Sequence, residues 1–214
     1  MEIERTTDPR IIYVHDVFKK TECEQIIQLA ESVKFNTPGR VVMGNGVGNV
    51  VVPSSRRCHE IWLSQHSELT DLEKKLEVLY QDIAELYRKN VANVEAYLVA
   101  EPARIVRYRP TGFFRLHSDL RHCRPGEWRQ LTMVINLNHT YGGQLFFPQQ
   151  NVCCNTNPGS AVVFPVSDNY LHEAFPPEND NKYILLNWLS ACEDILADKA
   201  ELIGIKKGES HAAA

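Results

Sequence analysis

The sequence predicts a mainly β fold with supporting helices, an α+β chain in which helices come first and short strands follow. Two amphipathic helical stretches precede residue 94, strand-like runs recur after it, and turn signals separate those runs. The runs are EAYLVA, ARIVRY, LTMVINLN, QLFFP, SAVVFPV and KYILLNWL, divided by RPTG, HTYGG, NTNPGS and PPEND. Helices ahead of many short strands suggest a β-sandwich or barrel backed by helices.

In chain order, IIYVHDVF reads as a strand with its turn, and TECEQIIQLAESV as a helix whose start carries a capping box, Thr21 with Glu24. The clearest helix runs from Leu69 to Asn90. Leu69, Leu72, Leu76, Leu79, Ile83 and Leu86 stand three and four apart, which makes one apolar stripe and predicts a packing face. Thr70 and Glu73 offer a second capping box. Between the helices, Asn36 to Arg57 has Gly, Asn, Pro and Ser at loop density. Its GNGVGN superficially resembles a phosphate loop, but no Lys-Ser/Thr pair follows and the glycine spacing fails the dinucleotide pattern. A mobile surface loop is the expectation, and a lid over a peptide is one use for it.

The chain of 214 residues suits one domain, with 1–93 as a helical and strand support layer, 94–190 as the β core and 191–214 as a C-terminal tail. Hydrophobic residues at 43% and charged residues at 23% are ordinary for a soluble protein. A formal net charge of -4 gives no reason to expect a nucleic-acid partner, and none is expected. The basic stretches Arg104 to Arg109 and Arg121 to Arg129 still suit an anionic ligand. No apolar run approaches the ~18–20 residues of a membrane helix, so no membrane partner is expected. The opening MEIERTTDPR lacks the charged-then-apolar plan of a secretion signal. Cysteines stand at 23, 58, 123, 153, 154 and 192 with no CxxC pair, which points to a reduced, cytoplasmic chain. Zinc on His122, Cys123, Cys153 and Cys154 matches no standard spacing, and cysteine as a small buried hydrophobe is the better reading.

The chemistry gathers in YRPTGFFRLHSDL. On an extended chain, residues two apart face the same way, so His117 and Asp119 can offer an imidazole nitrogen and a carboxylate oxygen to one ion. Alone this pair is weak, since histidines and aspartates often fall so by chance. His172, in LHEAFPP after the strand SAVVFPV, can close a two-histidine, one-carboxylate triad from across a barrel. Such a triad leaves open positions and suits oxygen chemistry at non-haem Fe(II). Lys182 opens KYILLNWL and shares a face with Ile184, Leu186 and Trp188 by the period of two. A lysine beginning an otherwise apolar face is placed to meet a carboxylate in a cavity; without the metal motif, a snorkelling strand-end lysine would be preferred.

Taken together these segments resemble the prolyl 4-hydroxylase branch of the Fe(II)/2-oxoglutarate-dependent dioxygenases. RYRPTGFFRLHSD resembles the Tyr-containing strand leading into that family's His-x-Asp. RQLTMVINLN followed by YGGQLFFP resembles its Arg-x-x-Thr strand and Gly-Gly hairpin. NPGSAVVF, LHEAFPP and NDNKYILLNW resemble its Pro-Lys-Gly strand, distal histidine and cosubstrate-lysine strand, and IIYVHDVFKKTECEQIIQLAE its opening strand and helix.

The resemblance implies a double-stranded β-helix core (jelly-roll, cupin-like) with N-terminal helices packed outside. It implies Fe(II) on His117, Asp119 and His172, the far carboxylate of 2-oxoglutarate on Lys182, and a cosubstrate hydrogen bond from Tyr108. The threonine that follows Gly-Gly in the family is Leu145 here, with Thr132 or Asn136 as compensating cosubstrate contacts. Arg56, Arg129 and Trp188 resemble residues lining the peptide groove, with a near-even alternative for Arg129 as an ordinary ion pair. RRCHEIW, however, replaces the usual Arg-Thr-Ser run, and Ser190 stands where a histidine is frequent. The match is therefore better in the catalytic machinery than on the substrate surface.

The implied cofactors are Fe(II), 2-oxoglutarate as cosubstrate and ascorbate as reductant, with molecular oxygen as the oxidant. The implied reaction is hydroxylation of an unactivated C–H bond, most simply on a prolyl or other residue of a peptide or protein, with release of succinate and CO2. Related halogenases lack the carboxylate, so Asp119 favours hydroxylation. The alternatives are a hydroxylase of a free amino acid or small metabolite, and a non-catalytic β-barrel binding module. A complete triad with Lys182 argues against the last. A DNA-repair demethylase is disfavoured, because those resemble an arginine-based cosubstrate site on a more basic surface.

Overall fold

The computed structural model describes residues 1–42, 49–92, 94–95, 98–120 and 126–193. Ahead of residue 94 lie β1 (Glu2–Arg5), β2 (Ile12–His15), α1 (Lys20–Val33), β3 (Thr37–Pro38), β4 (Val41–Val42), β5 (Asn49–Val50), β6 (Arg56–Arg57), β7 (His59–Trp62) and α2 (Thr70–Asn90). Behind it lie β8 (Val99–Ala100), β9 (Arg104–Tyr108), β10 (Phe113–His117), β11 (Glu127–Asn136) and β12 (Leu145–Phe147). The chain continues with β13 (Val152–Cys154), β14 (Ala161–Pro165), β15 (His172–Ala174) and β16 (Lys182–Cys192). The fold is mainly β and its sheets are antiparallel, in keeping with the fold class read from the sequence.

Period-two alternation of side chains on the long strands sets the layers. A nine-stranded sheet runs β1-β2-β14-β11-β16-β9-β7-β3, with β8 also paired to β16. One of its faces carries Ile12, Val14, Ile105, Leu131, Met133, Ile135, Val163, Leu185 and Leu189, packed in one core with α1 and α2. Its other face carries Val106, Tyr108, Val134, Val162, Phe164, Ile184, Leu186 and Trp188, packed against Leu145, Phe147, Val152, Cys154 and Ala174 of a five-stranded sheet. That smaller sheet runs β13-β12-β15-β10-β6. The order is thus helices, large sheet, small sheet, and both faces of the large sheet are buried. This is why KYILLNWL and SAVVFPV read as nearly unbroken apolar runs.

The helices pack as their stripes require, with differences in detail. In α2 the buried positions are Leu76, Tyr80, Ile83, Ala84 and Tyr87, so two tyrosines join the predicted stripe while Leu72, Leu79 and Leu86 sit at its half-buried margin. Tyr87 OH donates to the Arg10 carbonyl at 2.8 Å, which gives a buried phenol its partner. Neither predicted capping box forms. Helix α1 begins at Lys20, where Glu22 accepts the Lys19 N–H at 2.8 Å, and α2 begins at Thr70 with no side-chain cap. In both cases the helix starts earlier than the threonine would set it, so Thr21 and Thr70 lie inside the first turn.

The segment 36–57 also differs from a plain loop. Thr37–Pro38 pairs with β7 at the edge of the large sheet, and Arg56–Arg57 pairs with β10 in the small sheet. Most of GNGVGN lies outside the described residues, as do His122 and Cys123 of the disfavoured zinc reading. The residues ahead of 94 therefore add strands to both sheets as well as helices to one face. No described helix is long and apolar enough to cross a membrane.

Gly159 ties α1 to the sheets. Its N–H donates to the Asn136 carbonyl at 2.8 Å, and its carbonyl accepts from Val17 at 2.9 Å and Phe18 at 3.2 Å. Its φ of +76 is left-handed, and a Cβ there would lie 2.0 Å from the Phe18 carbonyl oxygen. Gly159→Ala is expected to cost at least about 2 kcal/mol, combining left-handed strain with a backbone clash. The denaturant midpoint of the variant against the unsubstituted chain measures this.

Candidate active site and metal centre

The cavity between the two sheets is lined by Arg56, Tyr108, Phe114, His117, Asp119, Thr132, Val134, Leu145, His172, Ala174, Lys182, Ile184, Leu186 and Trp188. Each long strand contributes by alternation: Thr132 and Val134 from β11, and Lys182, Ile184, Leu186 and Trp188 from β16. The shared face predicted for the last four is therefore the cavity wall. The small sheet supplies the opposite wall, and β10 and β15 bring His117 and His172 into register as direct neighbours. A bulge between Phe114 and His117 turns the end of β10, and Asp119 follows two residues beyond the strand.

The three residues converge. His117 Nε2 lies 3.8 Å from Asp119 Oδ1, and His172 Nε2 lies 3.5 Å from Asp119 Oδ2. One candidate ligand atom from each falls within 4.8 Å of the others. The other ring nitrogens are engaged: His117 Nδ1 meets the Arg115 carbonyl at 2.8 Å and His172 Nδ1 the Tyr170 carbonyl at 3.0 Å. A carbonyl only accepts, so both Nδ1 atoms carry a proton, which leaves each Nε2 turned toward Asp119 as the atom that can bind a metal. This tautomer is the one a metal ligand needs, with its distal N–H fixed by a carbonyl.

Charge states agree with that use. Burial, followed by the neighbouring His172, pushes the His117 imidazole well below its ordinary value, so it is neutral at pH 7. Burial alone would raise the Asp119 carboxyl. The rings of His172 and His117, with the hydrogen bond from Thr132, outweigh it and keep the carboxyl below its ordinary range. Two imidazoles and one carboxylate form a donor set for a divalent ion, and the arrangement fits Fe(II). Aromatic rings exclude water around it. Phe114 stacks on His117 at 3.5 Å between centroids, and Phe164 and Phe147 pack on His172 at 4.8 and 5.4 Å.

Lys182 stands elsewhere on the wall, opposite Tyr108 in register and 2% exposed. Its Nζ donates to the Gly143 carbonyl. Among the described residues no carboxylate pairs with it, and burial lowers its pKa from 10.5 to about 8. A buried ammonium without a counter-charge is costly and is a ready receptor for an anion. Gly143 must be glycine to meet it: its φ is +74, and a Cβ would lie 2.9 Å from Thr140 Oγ1 and 3.0 Å from Lys182 Cδ. Tyr108 is fully buried on the same wall, and burial raises its hydroxyl pKa, so it remains protonated and able to donate. Leu145 lines the cavity as an apolar contact with no hydrogen bond to offer an anion.

The remaining predicted residues divide. Trp188 and Arg56 line the cavity, whereas Arg129 does not. Arg129 Nε and Nη2 donate to the Glu101 carboxylate at 2.5 and 2.6 Å, and its Nη1 donates to the Asp119 carbonyl at 3.1 Å. Its guanidinium lies 3.7 Å over Trp188, and that of Arg104 lies 4.4 Å from the same ring. Arg129 thus stands as a strut behind the cavity wall, and its ion pair with Glu101 is part-buried. Thr132 faces Asp119, not Lys182: its Oγ1 donates to Asp119 Oδ2 at 2.7 Å. Asn136 is not on the wall, and its amide nitrogen faces the Asn155 carbonyl at 3.5 Å.

Several contributors were not singled out from the sequence. Glu60, 3% exposed, pairs with both Arg56 and Arg104. Glu101 anchors Arg129, and Phe114 covers His117. The available signal for Glu60 and Arg104 was a charged residue inside a strand-like run, where burial demands a partner.

Residues 103–190 match the sequence profile of the 2OG-Fe(II) oxygenase superfamily. No curated protein matches the chain by sequence. Among solved structures, a viral collagen prolyl hydroxylase from Paramecium Bursaria Chlorella virus-1, in a 2OG complex, superposes with a TM-score of 0.65 at 19% identity, covering 85% of this chain and 96% of that one. A prolyl hydroxylase from Trichoplax adhaerens, in complex with a peptide fragment of the hypoxia inducible factor oxygen degradation domain, gives a TM-score of 0.69 at 17% identity, covering 88% and 86%. A Pseudomonas putida prolyl-4-hydroxylase gives 0.57 at 16% identity, covering 84% and 91%. At these identities the likeness is one of fold.

Lys182 generates a prediction with a definite sign. Between pH 8 and 10.5 the unfolded chain binds its proton and the folded chain does not, so the ligand-free protein gains stability as pH rises through that window. Lys182→Met removes the buried ammonium and is expected to raise the melting temperature of the ligand-free protein at pH 7. It should also flatten that pH dependence. Thermal melts of both proteins from pH 7 to 10 measure the difference.

Proposed function

We propose, from the premise that residues 103–190 are a 2OG-Fe(II) oxygenase domain, that this protein hydroxylates a prolyl or other amino-acid residue of a peptide or protein. The products would be the hydroxylated residue, succinate and CO2. The observation that carries the reading is the convergence of His117, Asp119 and His172 in one cavity with Lys182, a buried cation with no carboxylate partner among the described residues. We read the two stacked sheets as a double-stranded β-helix with α1 and α2 packed outside it, and the chain as one domain around that core. Ascorbate is the expected reductant. The thiols of Cys23, Cys58, Cys153, Cys154 and Cys192 are free, which suits a reducing, cytoplasmic setting.

Fe(II) bound with 2-oxoglutarate supplies the activation of dioxygen and the oxidation of an unactivated C–H bond. The chain's own groups provide position and charge. His117 and His172 offer Nε2, each aimed by a hydrogen bond from its Nδ1 to a backbone carbonyl. Asp119 offers a carboxylate. Lys182 neutralises the far carboxylate of the cosubstrate, and Tyr108 donates a second hydrogen bond to it. Phe114, Phe147 and Phe164 keep water from the ligands. Arg56, 5% exposed and cation–π stacked 4.5 Å over Phe114, is a second cation on the wall. It supports a substrate contact to a peptide carbonyl or, in a second reading, to the carboxylate of a free amino acid.

Anaerobic addition of Fe(II) and 2-oxoglutarate is expected to give a visible charge-transfer band; its absence would overturn the oxygenase reading. His117→Ala, Asp119→Ala and His172→Ala should each abolish substrate-dependent succinate formation. Lys182→Ala should raise the 2-oxoglutarate requirement about 30-fold or more, the scale of a lost buried charge pair. Mass spectrometry of peptides and free amino acids after turnover separates the two substrate readings: a gain of one oxygen on a peptide supports the first, and on free amino acids alone the second.

A further inference from the structure

Thr132 lies on β11 between Trp188 of β16 and Phe164 of β14, with 0% exposure. A threonine hydroxyl has one proton to donate, and here that proton goes to Asp119 Oδ2 at 2.7 Å. An ionised cosubstrate carboxylate only accepts hydrogen bonds, so Thr132 cannot serve it as a donor while this bond stands. The hydroxyl belongs functionally to the Asp119 end of the cavity.

Asp119 is held at two levels. Arg129 Nη1 binds its backbone carbonyl at 3.1 Å, which fixes the chain where it leaves β10. That contact does not fix the carboxylate plane, because rotation about the terminal bond of an aspartate is soft. The Thr132 hydrogen bond sets that rotation. The plane matters for the count of open positions. Two imidazoles and one carboxylate oxygen leave three of six positions, enough for a keto acid bound through two atoms and for dioxygen. A carboxylate binding through both oxygens would remove one of the three.

We propose that Thr132 is a positioning residue for Asp119, engaging Oδ2 so that the carboxylate meets the metal through a single oxygen. The proposal rests on the oxygenase reading and predicts behaviour of the metal site before any cosubstrate is present. A threonine that only satisfied its own hydroxyl, or that served the cosubstrate, would leave that behaviour unchanged.

The test uses Thr132→Val, which keeps the branched shape and removes the hydroxyl, and Thr132→Ser, which keeps the hydroxyl. Co(II) serves as the probe, titrated into the full chain without cosubstrate and followed by its visible absorption. Thr132→Val is expected to bind Co(II) about tenfold more weakly, the scale of a lost partner of a metal ligand, with altered absorption bands. Thr132→Ser should restore both. Should the valine variant fail to fold, Thr132→Ala against Thr132→Ser provides the same contrast. Wild-type affinity and spectrum in the variant lacking the hydroxyl would overturn the proposal, even if its 2-oxoglutarate affinity fell. A wild-type chain that gives the anaerobic Fe(II)–2-oxoglutarate band, beside a variant with unaltered Co(II) binding, removes this proposal alone. Absence of the band in the wild type removes the functional reading and this proposal with it.

Discussion

The antiparallel pairing of β11 with β16 governs everything else in the molecule, because it decides which side chains face the helices and which face the cavity. Its register matches Thr132 with Trp188 and Val134 with Leu186 on the cavity side, and Met133 with Asn187 and Ile135 with Leu185 on the helix side. Side chains alternate along a strand, so a slip of one residue would send Lys182, Thr132 and Trp188 into the helix layer. Burial on both faces of these strands opposes that slip, since it would turn each buried face into the other layer. The hydrophobic layer and the functional wall are thus fixed by a single register.

Within that wall the charges are disposed in two groups. Around Trp188, three guanidiniums meet two carboxylates: Arg56 and Arg104 share Glu60, and Arg129 holds Glu101. The indole lies between Arg104 and Arg129, so its ring faces stabilise cations that burial would otherwise penalise. Burial still lowers the Arg104 pKa to about 10, which shows how dry this network is. Lys182 is treated differently. It has a carbonyl and an aromatic neighbour but no described carboxylate, so its desolvation is offset only when an anion enters. A paired network gives a rigid wall, and an unpaired cation gives a receptor.

The sequence made the architecture legible wherever a strand was long enough to show its period. KYILLNWL placed Lys182 and Trp188 on one face, and the His-x-Asp pair with His172 located the donor set. Three-residue strands such as β13 and β15 carry too few positions to display alternation, and β3 and β6 were hidden in a segment rich in turn residues. The capping boxes failed for a related reason: a Thr-x-x-Glu pattern records a possible start, while packing of the stripe decides which turn comes first. The Glu101–Arg129 pair spans strands that are distant in sequence, and only the fold brings them together. Leu145 was visible as a departure from the family pattern, yet the sequence offered Thr132 as its substitute because both were placed by likeness rather than by geometry.

Thr132 shows why the geometry reads differently. A cosubstrate with two carboxylates needs donors, and the cavity distributes them unequally. Near Gly143, Lys182 has three N–H groups and directs one at a carbonyl, while Tyr108 keeps its own proton. Near Trp188, the Thr132 hydroxyl donates to Asp119 Oδ2. Leucine at 145 is then tolerable, because the Lys182 end retains donors without a threonine. Asp119 is the only anionic ligand of the three, and among the described residues its carboxylate accepts a side-chain hydrogen bond from the Thr132 hydroxyl. The constraint on position 132 therefore comes from the metal side of the cavity and not from the cosubstrate side.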